Sequence, residues 1–371
     1  MGYFYNKMRL FAAVSAAGCL FAAGESQANN PVLEPVVTNG ATTAPAAAFN
    51  GGALETALIA PKAPSDEARL HYQNTAYRGL WFDASGDDSK AAALIDALSR
   101  AGDHALPTAK YNTPLLRAAL TAARSGDANA VAAAEIALTN AFLAYARDLK
   151  SGLLEPRRVD RDLHVFPERP DAPFLLTGLS RTTDIKSFLD ALAPRHPHYD
   201  ALKAELGALV SKGIAGAWGP EAPLGGSIRL GQRGPRVEAI RARLAAMGDY
   251  KPALPAIDPA EYDEGLEDAV RAFQRRHGLN DDGVIGKRTV AAMNKSASYR
   301  AGQIVVNMER LRWLNRDLGY KHVLVNQADY NVKVIEGDRI LFNERVVIGK
   351  SRKHRTPEFS DQMTHLVFNP T

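Results

Sequence analysis

One cysteine, Cys19, is present in the 371 residues of the sequence. An intramolecular disulfide and any zinc site built on several cysteines are therefore excluded. Charge of one sign is not in excess either, since 45 lysines and arginines against 41 aspartates and glutamates leave a formal net charge of +4. Such a small and dispersed charge does not indicate a nucleic-acid partner, although it is compatible with an anionic wall or membrane surface. Beyond the N-terminal region, no apolar run is long enough to cross a bilayer.

The composition, with 46% hydrophobic and 23% charged residues, is typical of a folded soluble protein, and the length predicts two or three domains. Residues 1–28 are predicted to be a signal peptide, because basic residues precede an apolar run and Ser26-Gln27-Ala28 supplies a small-residue cleavage site. Cleavage after Ala28 is the favoured interpretation. The alternatives are a retained membrane anchor and a lipoprotein modified at Cys19, although Ala16 stands where lipoproteins usually carry leucine.

Residues 29–64 are predicted to be a flexible linker, because they are rich in Ala, Pro, Asn and Gly and lack helical periodicity. Residues 65–224 are predicted to form an α-helical domain, since apolar residues recur there at helical spacing. Two such stripes are Ala92, Ile95 and Leu98, and Leu138, Phe142 and Tyr145. The charged groups Arg157-Arg158 and Asp160-Arg161-Asp162 are interpreted as a solvated surface and not as a site.

Residues 225–298 are predicted to form a compact three-helix module. Pro235 suits the first turn of a helix, because a missing N–H costs nothing there, and Val237, Ile240 and Leu244 give that helix an apolar stripe. A second helix carries an apolar stripe and ends in a Schellman-type cap, and a turn leads through Gly286 into the third. We expect residues 229–294 to fold alone. The residues of the second helix, the cap and the turn are Leu266, Val270, Phe273, Gly278, Leu279 and Asp281-Asp282-Gly283.

This module resembles the small peptidoglycan-binding domain of bacterial wall enzymes. The resemblance is carried by Leu230-Gly231-x-x-Gly234-x-x-Val237-x-x-Ile240-x-x-x-Leu244 and by Ala269-Val270-x-x-Phe273-Gln274-x-x-x-Gly278-Leu279-x-x-Asp282-Gly283-Val284-Ile285-Gly286-x-x-Thr289. Two departures are Arg241, where the family usually has Gln, and the long proline-containing connection from Asp249 to Gly265. The resemblance implies peptidoglycan as a partner, bound through polar groups and backbone amides of a groove.

Residues 299–371 are predicted to contain a linker helix, from Gln303 to Trp313 with Val306, Arg310 and Trp313 at helical spacing, and then antiparallel strands. The predicted hairpin turns at Glu336-Gly337-Asp338. The predicted strands are His322 to Asn326, a strand with Val332 and Val334, a strand with Ile340 and Phe342, Val346 to Gly349, and His365 to Phe368.

This region resembles the start of an L,D-transpeptidase catalytic domain. The carriers are Val325-Asn326, Tyr330-Asn331-Val332, Glu336-Gly337-Asp338, Arg345-Val346-Val347-Ile348-Gly349-Lys350, Thr356-Pro357-x-Phe359-Ser360-Asp361 and Val367-Phe368-Asn369-Pro370. The order of an exported helical region containing Gly152-Leu153-Leu154-x-Pro156, a wall-binding module and this domain resembles the large periplasmic L,D-transpeptidases of Gram-negative bacteria. The expected fold class is therefore α+β multidomain, and the expected location is the periplasm.

The resemblance implies acyl transfer by a cysteine thiolate, which attacks a tetrapeptide stem and passes the acyl group to an amine, forming 3-3 crosslinks. The acceptor is another stem peptide or the lysine of an outer-membrane lipoprotein. In the family the nucleophile lies in a Ser/Thr-His-Gly-Cys motif downstream of the Asn-Pro pair, and this chain reaches Thr371 without it. We therefore expect a C-terminally truncated, inactive part of an enzyme, to which no catalytic, cofactor-binding or metal-binding residue is assigned.

Other sources of chemistry fit less well. His354 and His365 do not match the catalytic histidine of the family, and Ser351 and Ser360 are interpreted as loop residues. His196-Pro197-His198 has no third metal ligand nearby in sequence. Two alternatives are a non-catalytic peptidoglycan-binding protein with a degenerate transpeptidase domain, and a wall hydrolase that carries the same module.

Overall fold

The structure is a computed structural model that describes residues 51–58, 66–83, 86–214, 216, 218–252, 256–314, 318–350 and 354–364. Within these ranges the chain divides into two compact units, one of residues 201–307 and one of the described residues among 12–200 and 308–371. No helix in the described ranges is sufficiently long and apolar to cross a bilayer. The predicted signal peptide with Cys19, and the predicted strand from His365 to Phe368, lie outside the described residues.

The helices and strands are numbered in chain order. The helices are α1 (Gly51–Leu58), α2 (Asp66–Asn74), α3 (Ser89–Ser99), α4 (Thr113–Ala123), α5 (Ala128–Ser151), α6 (Pro156–Val159), α7 (Ala172–Arg181), α8 (Ile185–Asp190), α9 (Pro197–Ser211), α10 (Pro235–Met247), α11 (Glu264–Arg276), α12 (Lys287–Met293) and α13 (Ala297–Trp313), with short 3-10 helices at Ala101–His104 and Thr108–Tyr111. The strands are β1 (Leu163–His164), β2 (Lys321–Asn326), β3 (Asn331–Glu336), β4 (Arg339–Arg345) and β5 (Glu358–Phe359).

Helix α5 is the central element of the second unit. The Asp127 carboxylate caps it by accepting from the Ala130 N–H at 2.8 Å, and Gly152 ends it. Leu138, Phe142 and Tyr145 are buried as predicted. In α3 the predicted stripe is only partly right: Ile95 and Leu98 are buried, but Ala92 is exposed, because the buried face runs through Ala91 and Leu94 instead.

The predicted linker over residues 29–64 is wrong for residues 51–58, which form α1. Leu54 and Leu58 lie four residues apart, so they share one helix face, and both are buried where α1 packs against α5. One leucine pair in an Ala/Gly-rich segment is too weak a periodic signal to predict a helix, and the apolar surface of α5 supplies the missing partner.

The helix predicted from Gln303 begins six residues earlier, at Ala297, and of the three residues predicted at helical spacing only Trp313 is buried. In the second unit Met308, Glu309, Arg312 and Trp313 are buried, whereas Val306 and Arg310 are only partly so. Glu309 and Arg312 form a buried ion pair at 3.0 Å. The Glu309 carboxylate also accepts from the Leu154 N–H at 2.8 Å, while Arg312 donates to the His104 carbonyl and the Tyr199 hydroxyl. These polar partners allow a charged pair to be buried.

The antiparallel strands after Tyr320 are confirmed as a three-stranded sheet in the order β2-β3-β4. A two-residue turn at Gly337-Asp338 joins β3 to β4, and Gly337 adopts a positive φ of 56° there. The strand predicted from Val346 to Gly349 is wrong. Val346 continues the sheet by one bond to Tyr330, but Val347 is 99% exposed. The Gly349 N–H bonds to Thr356 Oγ1 at 2.9 Å, which turns this segment into a loop.

The interpretation of residues 160–162 as a solvated surface holds for Arg161 and Asp162, which are exposed, but is wrong for Asp160, which is partly buried in an ion pair. Arg355 donates to Asp160 at 2.5 Å and to Asp162 at 3.4 Å, and it lies 3.3 Å from Glu358. Next to this cluster, β1 pairs in parallel with β5, Leu163 opposite Glu358. Residues separated by almost two hundred positions therefore meet within the second unit, which a sequence pattern of local charges does not reveal.

The first unit contains the predicted three-helix module. One core includes apolar side chains of α10, α11 and α12: Val237, Ile240, Leu244, Leu266, Val270, Phe273, Val290 and Met293. Ala222, Ile228, Tyr262 and Ile285 complete it, and Ile228 and Ile285 exchange backbone hydrogen bonds of 3.2 and 3.0 Å. The core therefore extends N-terminal to residue 229, where the prediction placed the boundary of an independently folding segment.

Candidate peptidoglycan-binding site

The end of α11 adopts the predicted Schellman cap. Gly278 has a positive φ of 63°, a conformation that glycine adopts without a Cβ penalty. The Leu279 N–H donates to the Gln274 carbonyl at 2.9 Å and the Gly278 N–H to the Arg275 carbonyl at 3.1 Å. This is the bond pair of the motif, and it directs the chain into the following turn.

The turn at residues 281–283 is held by the buried amide of Gln274. Gln274 Nε2 donates to the Val284 carbonyl at 3.0 Å and to Thr289 Oγ1 at 3.2 Å, and Oε1 accepts from the Gly283 N–H at 3.0 Å. Asp282 accepts from the Val284 N–H at 2.9 Å, which is the largest cause of its lowered pKa. The Phe-Gln and Asp-Gly residues of the sequence pattern therefore have a shared structural role.

Arg241, the departure from the family pattern, is buried. Its guanidinium donates to the Pro259 carbonyl at 3.1 Å, to Tyr250 Oη at 2.5 Å and to Asp263 at 2.9 Å, and it also reaches the Glu261 carbonyl. All four partners lie in the long connection between α10 and α11. The arginine at position 241 and the long connection, which are the two departures from the family pattern, are therefore structurally linked. The arginine supplies the hydrogen bonds that the connection requires.

Arg243 is a second buried arginine, and sequence reasoning missed it. Its guanidinium donates to the carbonyls of Trp218 and Gly219, both at 2.8 Å, and to the Met293 carbonyl at 3.0 and 3.2 Å. Met293 ends α12, so the cation also interacts favourably with the negative end of that helix. Arg243 therefore joins α10, α12 and the segment that precedes the module.

A cavity of about 390 Å³ lies beside the C-terminal ends of α11 and α12. Four of its lining side chains can carry positive charge and one is aromatic. The lining residues are Arg276, His277, Ala291, Ala292, Lys295, Tyr299 and Arg300. Sequence reasoning missed this site, because the cationic residues are distributed over two helices and the turn between α12 and α13.

The charges at this cavity are only partly balanced. Arg276 pairs with the buried carboxylate of Asp249 at 2.5 Å. Among the described residues, no carboxylate lies within ion-pair distance of Lys295 or Arg300. His277 stacks on the Phe273 ring at 3.9 Å, and its Nδ1 lies 2.8 Å from the Phe273 carbonyl. Since a carbonyl only accepts, Nδ1 carries the proton. Burial lowers the pKa of His277.

The other candidate groups do not converge on a catalytic arrangement in the part of the chain that the structure describes. His354 is exposed, and Ser351 and His365 lie outside the described residues. His196 and His198 have ring centroids 4.8 Å apart, and burial, His198 and His322 together lower the pKa of His196. Within the described ranges, no group of three or more His, Cys, Asp or Glu side chains is arranged to hold a metal ion.

Comparison with known proteins identifies two regions. Residues 66–206 match the family described as a scaffold domain, and residues 233–293 match the peptidoglycan binding domain family. Over 84 residues the chain is 38% identical to the N-acetylmuramoyl-L-alanine amidase CwlM of Mycobacterium tuberculosis, covering 21% of this chain and 20% of that protein. The chain thus spans about a fifth of the length of this curated relative. The match at residues 233–293 shows a peptidoglycan-binding domain in this chain and supports a cell-wall-associated function.

Proposed function

We propose that the chain belongs to an exported peptidoglycan L,D-transpeptidase that acts in the periplasm. The observation that carries the proposal is the three-helix module, whose core, Schellman cap and Gln274-centred turn accompany the family match at residues 233–293. The sheet β2-β3-β4 and the Thr356-Pro357 loop support the transpeptidase part of the proposal. Gln327 Nε2 donates to the Pro357 carbonyl at 2.9 Å, so the loop is tied to the turn between β2 and β3.

The proposed reaction forms an acyl-enzyme through a cysteine thiolate and then transfers the acyl group to an amine. The thiolate attacks the carbonyl carbon of the third stem residue, and the terminal D-alanine leaves as its amine. The acceptor amine comes from a second stem or from the lysine of an outer-membrane lipoprotein. Cleavage after Ala28 would remove Cys19, so residues 29–371 hold no thiol and are expected to be inactive by themselves.

Sedimentation with cell-wall sacculi tests the first half of the proposal, namely that the chain binds peptidoglycan. The chain is expected to sediment with purified sacculi. Val270→Asp places a carboxylate in the fully buried core of the module and should abolish sedimentation, while Val347→Asp at a 99% exposed position should not. Equal sedimentation of both variants, or none by the parent chain, would contradict this half of the proposal.

Acylation tests the second half. Residues 29–371 should form no covalent adduct with a carbapenem, as judged by intact mass spectrometry. The open reading frame continued past the codon for Thr371 is expected to encode a Ser/Thr-His-Gly-Cys motif, and the corresponding protein should form the adduct. Replacing that cysteine by alanine is the control. A reading frame without the motif would favour the alternative, a non-catalytic peptidoglycan-binding protein with a degenerate transpeptidase domain.

A wall amidase is a second candidate, favoured by the 38% identity to a protein named as an amidase. An amidase would release stem peptides from sacculi, whereas a transpeptidase would exchange or release the terminal D-alanine. Chromatography of the products with and without added Zn²⁺ separates the two, because zinc amidases require a metal-activated water.

A further inference from the structure

Three of the seven residues that line the cavity beside α11 and α12 lie outside the three-helix module. Lys295, Tyr299 and Arg300 lie beyond residue 293, where the match to the peptidoglycan binding domain family ends. Its volume of about 390 Å³ is in the range of sites that hold small ligands or a few residues of a peptide.

Arg300 is held in place without a charged partner in the part of the chain that the structure describes. Its Nη1 donates to Gln303 Oε1 at 2.8 Å and its Nη2 lies 3.5 Å from the Ala292 carbonyl. Its Nε is buried and has no hydrogen-bond partner among the described residues. A partly desolvated guanidinium that has no carboxylate beside it favours a carboxylate ligand, because charge-assisted bonds gain strength where water is excluded.

Lys295 and Tyr299 complete an amphipathic wall. The Lys295 ammonium lies 4.8 Å from the centroid of the Tyr299 ring, and the Arg300 guanidinium lies 5.9 Å from it. The ring orients both cations, while the methyl groups of Ala291 and Ala292 leave room for a small apolar side chain. Because Asp249 offsets Arg276, the unbalanced charge of the cavity comes from Lys295 and Arg300.

We propose that this cavity is a subsite for a free carboxylate of a peptidoglycan stem peptide, with Arg300 and Lys295 as its ligands. The proposal rests on the proposed function, because it takes the wall as the ligand of this module. Stem peptides combine free carboxylates with alanine methyl groups, and the cavity pairs two cations with a small apolar wall. A sugar ring has no such charge, so the peptide is the part of the wall that fits this chemistry.

The test is a titration of the full chain with a soluble stem tetrapeptide. Binding is monitored by NMR through the chemical shifts of the Tyr299 and Arg300 backbone amides. The same peptide with its carboxylates amidated, and inorganic phosphate, are titrated in parallel. Lys295→Gln should weaken tetrapeptide binding at least about tenfold, since it removes a charge-assisted contact. Arg300→Lys should have an effect of similar size, because an ammonium group cannot form the two parallel N–H···O bonds that a guanidinium gives a carboxylate. Arg229→Gln, which removes a charge from an exposed position outside the cavity, is the matched control. Lys295 is itself exposed, so its variant is expected to fold normally.

Sedimentation with sacculi separates this proposal from the broader one. If the parent chain sediments but the amidated peptide binds as well as the free acid, or Lys295→Gln has no effect on the titration, the subsite is wrong and wall binding stands. If phosphate competes equally at the same concentration, the cavity is a general anion site and the stem-peptide assignment is overturned. If the parent chain binds neither sacculi nor tetrapeptide, both proposals fail.

Discussion

Glu135 provides the sharpest test of the energetics, because it is a carboxyl group inside the helical core of the second unit. It is fully buried in α5, where it accepts from the Leu80 N–H at 2.5 Å, the Trp81 N–H at 3.3 Å and the Tyr72 hydroxyl at 3.0 Å. In the described ranges no cationic side chain lies within ion-pair distance of it. Burial raises the pKa of Glu135 from 4.5 to about 7, even though its three hydrogen bonds act in the opposite direction.

The sign of the pH dependence follows from this raised pKa. Below pH 4.5 both the folded and the unfolded chain bind the proton, and the full stabilisation is present. Between pH 4.5 and about pH 7 the folded chain keeps the proton and the unfolded chain releases it, so stability falls as the pH rises. A difference of this size corresponds to about 3 kcal/mol of unfolding free energy lost across the interval.

The perturbation is Glu135→Gln, which keeps an acceptor for the Leu80 N–H and removes the titration. Urea unfolding is followed by tryptophan emission in a Trp218→Phe background, so that Trp81 and Trp313 report on the second unit alone. Relative to the parent, the variant should gain about 3 kcal/mol in unfolding free energy between pH 4.5 and pH 7.5. Glu344→Gln, at an exposed position of the same unit, is the control. A difference between parent and Glu135→Gln that stays constant with pH would refute the reasoning.

Three further predictions concern the contacts between distant segments. Arg243→Met should destabilise the module by about 3 kcal/mol in a thermal melt, because the carbonyls that accept hydrogen bonds from Arg243 stay buried without a donor. An unchanged melting temperature would show that water replaces the guanidinium as the donor. A segment of residues 218–294 should melt at a higher temperature than residues 229–294, since only the longer segment contains the core residues Ala222 and Ile228. Equal melting temperatures would show that these two residues do not stabilise the core. Arg355→Gln should increase amide hydrogen exchange at Leu163–His164 and Glu358–Phe359, while the unfolding free energy falls by less than about 1 kcal/mol. Unchanged exchange would mean that the pairing of β1 with β5 does not depend on the ion pairs.

The parts of the fold that the sequence predicted are those determined by local patterns. Pro235 at the start of α10, the Gly278 cap and the Gly337 turn each need a particular residue type at one position, and each was identified. Period-two alternation likewise predicted β2 and β3.

The parts that the sequence did not predict depend on partners far away in the chain. Leu54 and Leu58 form a helix because α5 covers them, and the aspartates at 160 and 162 pair with Arg355 because β1 and β5 meet. The exposed loop at Val347 shows the converse, since this β-branched run has no partner strand among the described residues and did not form a strand. Tertiary context decided each of these cases.

The buried arginines of the module and the cations of the cavity contribute to different properties of the module. Arg241 stands where the family usually has Gln, but its guanidinium donates only to the connection between α10 and α11. The arginine therefore supports the fold and adds no exposed group. Lys295 and Arg300, in contrast, contribute little to the core and have no carboxylate within ion-pair distance in the described chain. The fold of the module and the proposed stem-peptide subsite therefore depend on different residues. Substitutions at Arg241 and Arg243 should change stability before they change wall binding, whereas substitution of Lys295 should change wall binding at constant stability.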